Sequence, residues 1–123
     1  MSAPTGIGLK RLQHLVLWVS DVDRSVRFYC DVLGFEVKTR YPNAAFLRIA
    51  GSSEDHHLGL FEQPGVGAVD EGAVRMYHSA WEVGELTDLV RARRKLIAEL
   101  DPENAEPGHA LAYRFDIVLR SRD

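Results

Sequence analysis

The sequence predicts an α+β fold built from two related modules, and three observations carry that expectation. First, Leu12-Gln13-His14-Leu15-Val16-Leu17-Trp18-Val19-Ser20-Asp21-Val22 aligns without gaps on Met76-Tyr77-His78-Ser79-Ala80-Trp81-Glu82-Val83-Gly84-Glu85-Leu86, 64 residues downstream. The alignment lays His14 on His78, Val19 on Val83, Asp21 on Glu85 and Val26 on Val90. Second, in each copy the hydrophobic pattern passes from strand-like to helical spacing, so a strand opening with an inward-facing histidine runs straight into a helix. Third, the first helix is followed by three short apolar runs separated by turn residues. With 123 residues the chain has room for one domain and one core.

The elements follow in order. Arg11 to Val19 reads as the first strand, with His14, Val16 and Trp18 on one face. Ser20 with Asp23 three residues on resembles a capping box and starts a helix. Val22, Val26, Tyr29, Cys30 and Leu33 recur at helical spacing, and Gly34 ends the helix in a left-handed conformation. Strands are expected over Phe35 to Tyr41, Ala44 to Ala50 and His56 to Glu62, divided by Pro42-Asn43 and Gly51-Ser52-Ser53. Module one therefore spans 11–62 as β-α-β-β-β. A Gly- and Pro-bearing linker covers 63–73, its glycines spaced too loosely for a phosphate loop. Module two, 74–123, opens with Val74 to Val83 and a helix over Glu85 to Leu100 with Leu86, Val90, Ile97 and Leu100 facing inward. The Arg91, Arg93, Arg94 and Lys95 cluster reads as a solvated face of that helix. Asp101 to Gly108 then reads as a loop, and Leu111 to Leu119 as the one remaining strand. The second module is short of two strands, and the open sheet edge this leaves is expected to pair with a second copy of the chain.

Composition sets the partner class. Apolar residues make up 46% and charged residues 27%, as in soluble globular proteins. A net charge of −3 with no basic face argues against nucleic acid or an anionic membrane as the main partner. The single Cys30 cannot form an internal disulfide, and neither a signal-peptide pattern nor a membrane-length apolar run is present. A cytoplasmic protein is expected, acting on a small molecule and working as a homodimer.

Ser25-Val26-Arg27-Phe28-Tyr29-Cys30-Asp31-Val32-Leu33-Gly34-Phe35, together with the His14 strand before it, resembles the vicinal oxygen chelate superfamily: glyoxalase I, bleomycin-resistance proteins and extradiol dioxygenases. Asp55-His56-His57-Leu58-Gly59-Leu60-Phe61-Glu62 is similar to the fourth strand of dioxygenase-type members, and Tyr77 to Val83 to the start of their second module. The likeness covers residues 11 to about 100. It implies paired β-α-β-β-β modules forming a cupped, partly open mixed sheet with helices outside and a metal within. In extradiol members the ligands are a histidine on each module's first strand and a glutamate on the last strand of the second module. His14 and His78 match the two histidines; no residue matches the glutamate. The scaffold hosts many reactions, so the resemblance bears on fold more than on chemistry.

Two imidazoles and a carboxylate on one side of an ion leave open positions opposite, which suits Fe(II), or Mn(II), holding a chelating diol and O2. Imidazole at matching positions of a repeat points to metal, because packing does not require it twice. For the third ligand, alternation through the fourth strand puts Leu58, Leu60 and Glu62 on the face of His56. Glu62 is then the candidate, against the alternative of a solvated residue at a strand end. The glyoxalase pattern places an acid near Leu60, which cannot coordinate. Glu82 shares the face of His78 but lies too far along to join the same ion. By resemblance His56 is the acid-base histidine that is not a ligand, a role imidazole fills near neutral pH. His57 points outward, Tyr77 turns away from His78, and Trp18, Phe46 and Trp81 are core or cup wall. His109 has no assigned role. The leading expectation is a metal-dependent, extradiol-dioxygenase-like enzyme acting on a small catechol or other vicinal-oxygen compound. A bleomycin-resistance-type ligand-binding protein without chemistry, and a truncated or frame-shifted inactive relative, are the alternatives.

Overall fold

The computed structural model describes residues 5–65, 72, 74, 76, 78–99 and 116–121. Module one contributes β1 (Leu15–Val19), α1 (Val22–Arg27) continued by a π-helical turn (Phe28–Val32), β2 (Phe35–Tyr41), β3 (Ala44–Ile49) and β4 (Leu58–Glu62). The four strands form one mixed sheet in the order β1-β4-β3-β2, parallel between β1 and β4 and antiparallel elsewhere. A crossover through α1 is what a parallel pair needs, since a tight turn cannot return the chain in the same direction.

The helix begins because two of its orphan N–H groups find acceptors. Asp21 is the N-cap, its Oδ1 accepting from Arg24 N at 3.0 Å, and Glu62 Oε1 accepts from Val22 N at 3.0 Å. The cap is thus one residue later than Ser20, whose hydroxyl instead accepts from the Arg24 guanidinium. The helix ends at Gly34, where φ is +83° and the amide donates to Cys30 O.

Alternation along the strands divides the sheet into two faces. Leu47, Leu58 and Leu60 are fully buried against Val22, Phe28 and Tyr29 of the helix, forming the core with Val19, Phe35 and Ala45. The opposite face carries Val16 and Trp18, which stay exposed, with Phe46 and Phe61. β1 starts at Leu15, four residues later than expected, and the preceding chain is exposed at Ile7, Leu9 and Leu12.

Module two contributes β5 (His78–Val83), α2 (Leu86–Glu99) and β6 (Asp116–Ser121). β5 and β6 pair in parallel, with His78 in register with Asp116. This repeats the parallel β1–β4 pair of module one, so β6 stands in the place of a fourth strand. Counterparts of β2 and β3 do not occur among the described residues. The predicted loop at 101–108, most of the predicted strand at 111–119, Tyr77, Leu100 and His109 lie outside the described residues.

The docking face of α2 differs from the sequence expectation. Leu96 of α2 packs on the module-one core, with Leu89 and Ala92 part-buried on the same side, whereas Leu86, Val90 and Ile97 are exposed. Both sets have helical spacing, and the helix docks through the first. Trp81, expected in the core or the cup wall, meets Phe35 edge to face at 5.4 Å and joins the rim of the core.

Candidate functional site

The sheet face opposite α1 is an open aromatic cup. Trp18 of β1 meets Phe61 of β4 at 6.0 Å, Phe61 meets Phe46 of β3 at 5.7 Å, and Phe46 meets Tyr41 of β2 at 6.3 Å. Gly59 lies beneath two of these rings: a Cβ there would make ordinary van der Waals contact with Val16 at 3.4 Å, Phe46 at 3.5 Å and Phe61 at 3.6 Å. At Trp18 and Tyr41 this face exposes ring surface that folded chains ordinarily cover.

At the head of the cup stand two imidazoles. His14 precedes β1 and His56 lies in the turn before β4; their ring centroids are 4.7 Å apart, and His56 also meets Phe46 at 5.1 Å. The backbone brings them together, for Leu15 N donates to His57 O at 2.9 Å. An Arg11–Glu54 ion pair ties the same two segments from outside, and Arg11 holds the Glu54 carboxyl below the ordinary carboxylate range.

Each of these rings has its Nδ1 engaged by the residue before it. His14 Nδ1 lies 3.1 Å from Gln13 Oε1, and His56 Nδ1 lies 2.7 Å from Asp55 Oδ2. With both oxygens accepting, the two Nδ1 atoms carry the protons and the two Nε2 atoms carry the lone pairs. His57 is arranged the other way: its Nδ1 accepts from Ile49 N at 3.1 Å, and the ring is half-buried. It therefore secures the end of β3 and does not point outward.

The strand alternation that linked His56 to Glu62 does not hold. The chain bends at His57 and β4 begins only at Leu58, so His56 faces the cup while Leu58 and Leu60 are buried on the helix side. Glu62 follows their parity, and its Oε1 takes the Val22 amide at the start of α1. As a candidate third ligand it is thereby placed away from His14 and His56 and given a structural partner.

His78 opens β5 with its side chain on the exposed face, shared with Ala80 and Glu82, as His14 does ahead of β1. The two histidines head different sheets. Register sets Asp116 across from His78, a carboxylate-bearing position that the strand pattern alone did not single out. Among the described residues no group of three or more His, Cys, Asp or Glu side chains gathers around one point. The donor chemistry of His14 nonetheless fits a divalent ion: a ligating histidine characteristically gives its other ring N–H to an oxygen acceptor, as Nδ1 does to Gln13.

A helix-backed β1-β4-β3-β2 sheet beside a β-α-β unit that repeats its parallel pair defines a paired-module protein with a cupped sheet. The chain belongs to the Glyoxalase/Bleomycin resistance protein/Dioxygenase superfamily, whose family model matches residues 11–122. It is 29% identical over 80 residues to metapyrocatechase 2 of Cupriavidus necator, covering 65% of this chain and 23% of that protein. It is 27% identical over 113 residues to the manganese-dependent 2,3-dihydroxybiphenyl 1,2-dioxygenase of Geobacillus genomosp. 3, covering 87% of this chain and 33% of the relative. The chain thus spans a third or less of the length of these curated relatives. Among solved structures, a glyoxylase/bleomycin resistance protein/dioxygenase domain from Frankia sp. EAN1pec superposes with a TM-score of 0.59 at 26% identity, covering 74% of each chain.

Proposed function

We propose that the chain is a metal-dependent, extradiol-dioxygenase-like protein that takes a small catechol or other vicinal-oxygen aromatic into the cup. The observation that carries this reading is the pairing of His14 and His56 at the head of an aromatic-lined face. His14 and His78 would hold the ion, Fe(II) or Mn(II), which when bound supplies a Lewis-acidic centre able to chelate both oxygens of a diol. The protein's own part is positioning and proton transfer. Trp18, Phe46 and Phe61 offer ring faces and edges to a flat substrate and exclude water from one side of it. His56, with its lone pair on Nε2, takes a proton from a diol hydroxyl and returns it later in the cycle.

Glu62 is left to the α1 cap, so water, a residue of module two or a second copy of the chain completes the metal's shell. The edge position of β1 in its sheet supports pairing with a second copy of the chain as a homodimer. Among the described residues no helix is long and apolar enough to cross a membrane. A second reading, a bleomycin-resistance-type binding protein without chemistry, is supported by the same surface of exposed Trp18 and half-buried Phe61, which would hold a flat ligand without any metal.

Oxygen consumption by the Fe(II)-loaded protein with catechol as probe separates the two. Turnover that falls by about 10²- to 10⁴-fold in His56→Ala supports the enzyme. Catechol binding without oxygen uptake, unchanged by chelators, supports the binding protein.

A further inference from the structure

We infer that Asp55 is a positioning residue that fixes His56 as its Nδ1–H tautomer, so that Nε2 presents a lone pair to the cup. The inference rests on the reading of His56 as the proton carrier, and it concerns a residue that lies outside the cup. Asp55 Oδ2 lies 2.7 Å from His56 Nδ1, shorter than the 3.1 Å between His14 Nδ1 and the neutral Gln13 oxygen, as a charge-assisted bond should be. An ionised carboxylate can only accept, which assigns the proton to Nδ1.

The carboxylate is itself held ionised and in place. β2 carries a register shift between Val37 and Thr39, and Lys38 at that irregularity sets its ammonium 3.9 Å from Asp55 Oδ1. The bond from His56, with Lys38 and Arg48 nearby, keeps the Asp55 carboxyl below the ordinary carboxylate range. Asp55 thus has one oxygen towards the cation and the other towards the imidazole. The neighbouring ring shows that the arrangement is specific. His57 accepts at Nδ1 from Ile49 N and is therefore an Nε2–H tautomer when neutral, so two consecutive histidines are held in opposite tautomers by different partners.

The test is long-range ¹H–¹⁵N correlation of the histidine rings at alkaline pH, with assignments from His56→Gln and His57→Gln. The wild-type His56 pattern should be that of Nδ1–H and the His57 pattern that of Nε2–H. In Asp55→Ala the His56 pattern should change to Nε2–H with His57 unmoved, and Asp55→Asn, which keeps an acceptor oxygen, should restore Nδ1–H. Wild-type His56 as Nε2–H, or a pattern indifferent to Asp55→Ala, overturns the inference. With catechol as probe, Asp55→Ala should lower kcat about tenfold at unchanged KM. If His56→Ala leaves oxygen uptake intact, the proton-carrier reading fails, and the ring correlations still decide what Asp55 does.

Discussion

Replacing Glu62 separates two roles for one carboxylate. Its Oε1 accepts the Val22 amide at 3.0 Å, and that amide belongs to the first turn of α1, where the helix dipole favours negative charge. A hydrogen bond to a charged group contributes about 1.5–3 kcal/mol, and the dipole adds a few tenths to about 1 kcal/mol. Glu62 is half-buried, so solvent takes over part of the lost bond, and Glu62→Ala should cost about 1–2 kcal/mol. For a domain of this size that corresponds to a melting temperature lower by roughly 3–10 °C. Glu62→Gln keeps an acceptor oxygen and should lose about half as much. Thermal melts followed by circular dichroism, with metal content measured on the same samples, give both readouts. A variant that melts at the wild-type temperature but has lost its metal would refute the capping role and return Glu62 to the ligand set.

Burial pushes the Tyr29 phenol up to about 12. The folded state holds that proton more tightly than the unfolded chain, so its contribution is complete below about pH 10 and disappears as the pH climbs towards 12. Phenolate absorbance, read against Tyr29→Phe, should show Tyr29 ionising only near pH 12 or with unfolding, and an ordinary titration of Tyr29 would contradict the packing of that ring. Glu54 is shifted the opposite way, chiefly by its hydrogen bond from Arg11. Its contribution is present above about pH 4 and lost as the pH falls through its depressed value, so the stability gap between wild type and Glu54→Gln should close in acid. A gap constant from pH 7 to pH 2 would show that the ion pair contributes nothing. Trp18 is 65% exposed, so Trp18→Ala should leave the melting temperature within about 2 °C while weakening catechol binding roughly two- to tenfold. Unaltered affinity would place the ligand elsewhere.

Much of module one was legible because its signals are local. The β2 bounds Phe35–Tyr41 follow from alternation between Gly34 and Pro42-Asn43, and Gly34 takes the positive φ expected of a helix terminator. The shared face of His14, Val16 and Trp18 is a matter of parity alone. Parity failed across residues 56–58, because it assumes an unbroken strand and the chain bends at His57. That bend puts His56 in the cup and Glu62 on the helix side, and no periodicity encodes it. The docking face of α2 was ambiguous for a different reason. Leu86, Val90 and Ile97 repeat at helical spacing as well as Leu89, Ala92 and Leu96 do, and only tertiary contact chooses between the stripes. The role of Asp55 was visible only as an Asp-His dipeptide; its meaning depends on which ring nitrogen it meets. The parallel β5–β6 pair, and with it the register of Asp116, required a pairing partner that sequence does not name.

His14 and His78, histidines at matching positions of a repeat, are proposed to serve one metal ion. Metal content by mass spectrometry, on protein purified anaerobically after Fe(II) loading, tests it most directly when run beside His14→Ala/His78→Ala and His56→Ala. One ion per chain in the wild type, kept in His56→Ala and lost in the double variant, is the expected result. Metal no higher in the wild type than in the double variant would contradict the claim and leave the aromatic cup as a binding site for ligands without metal.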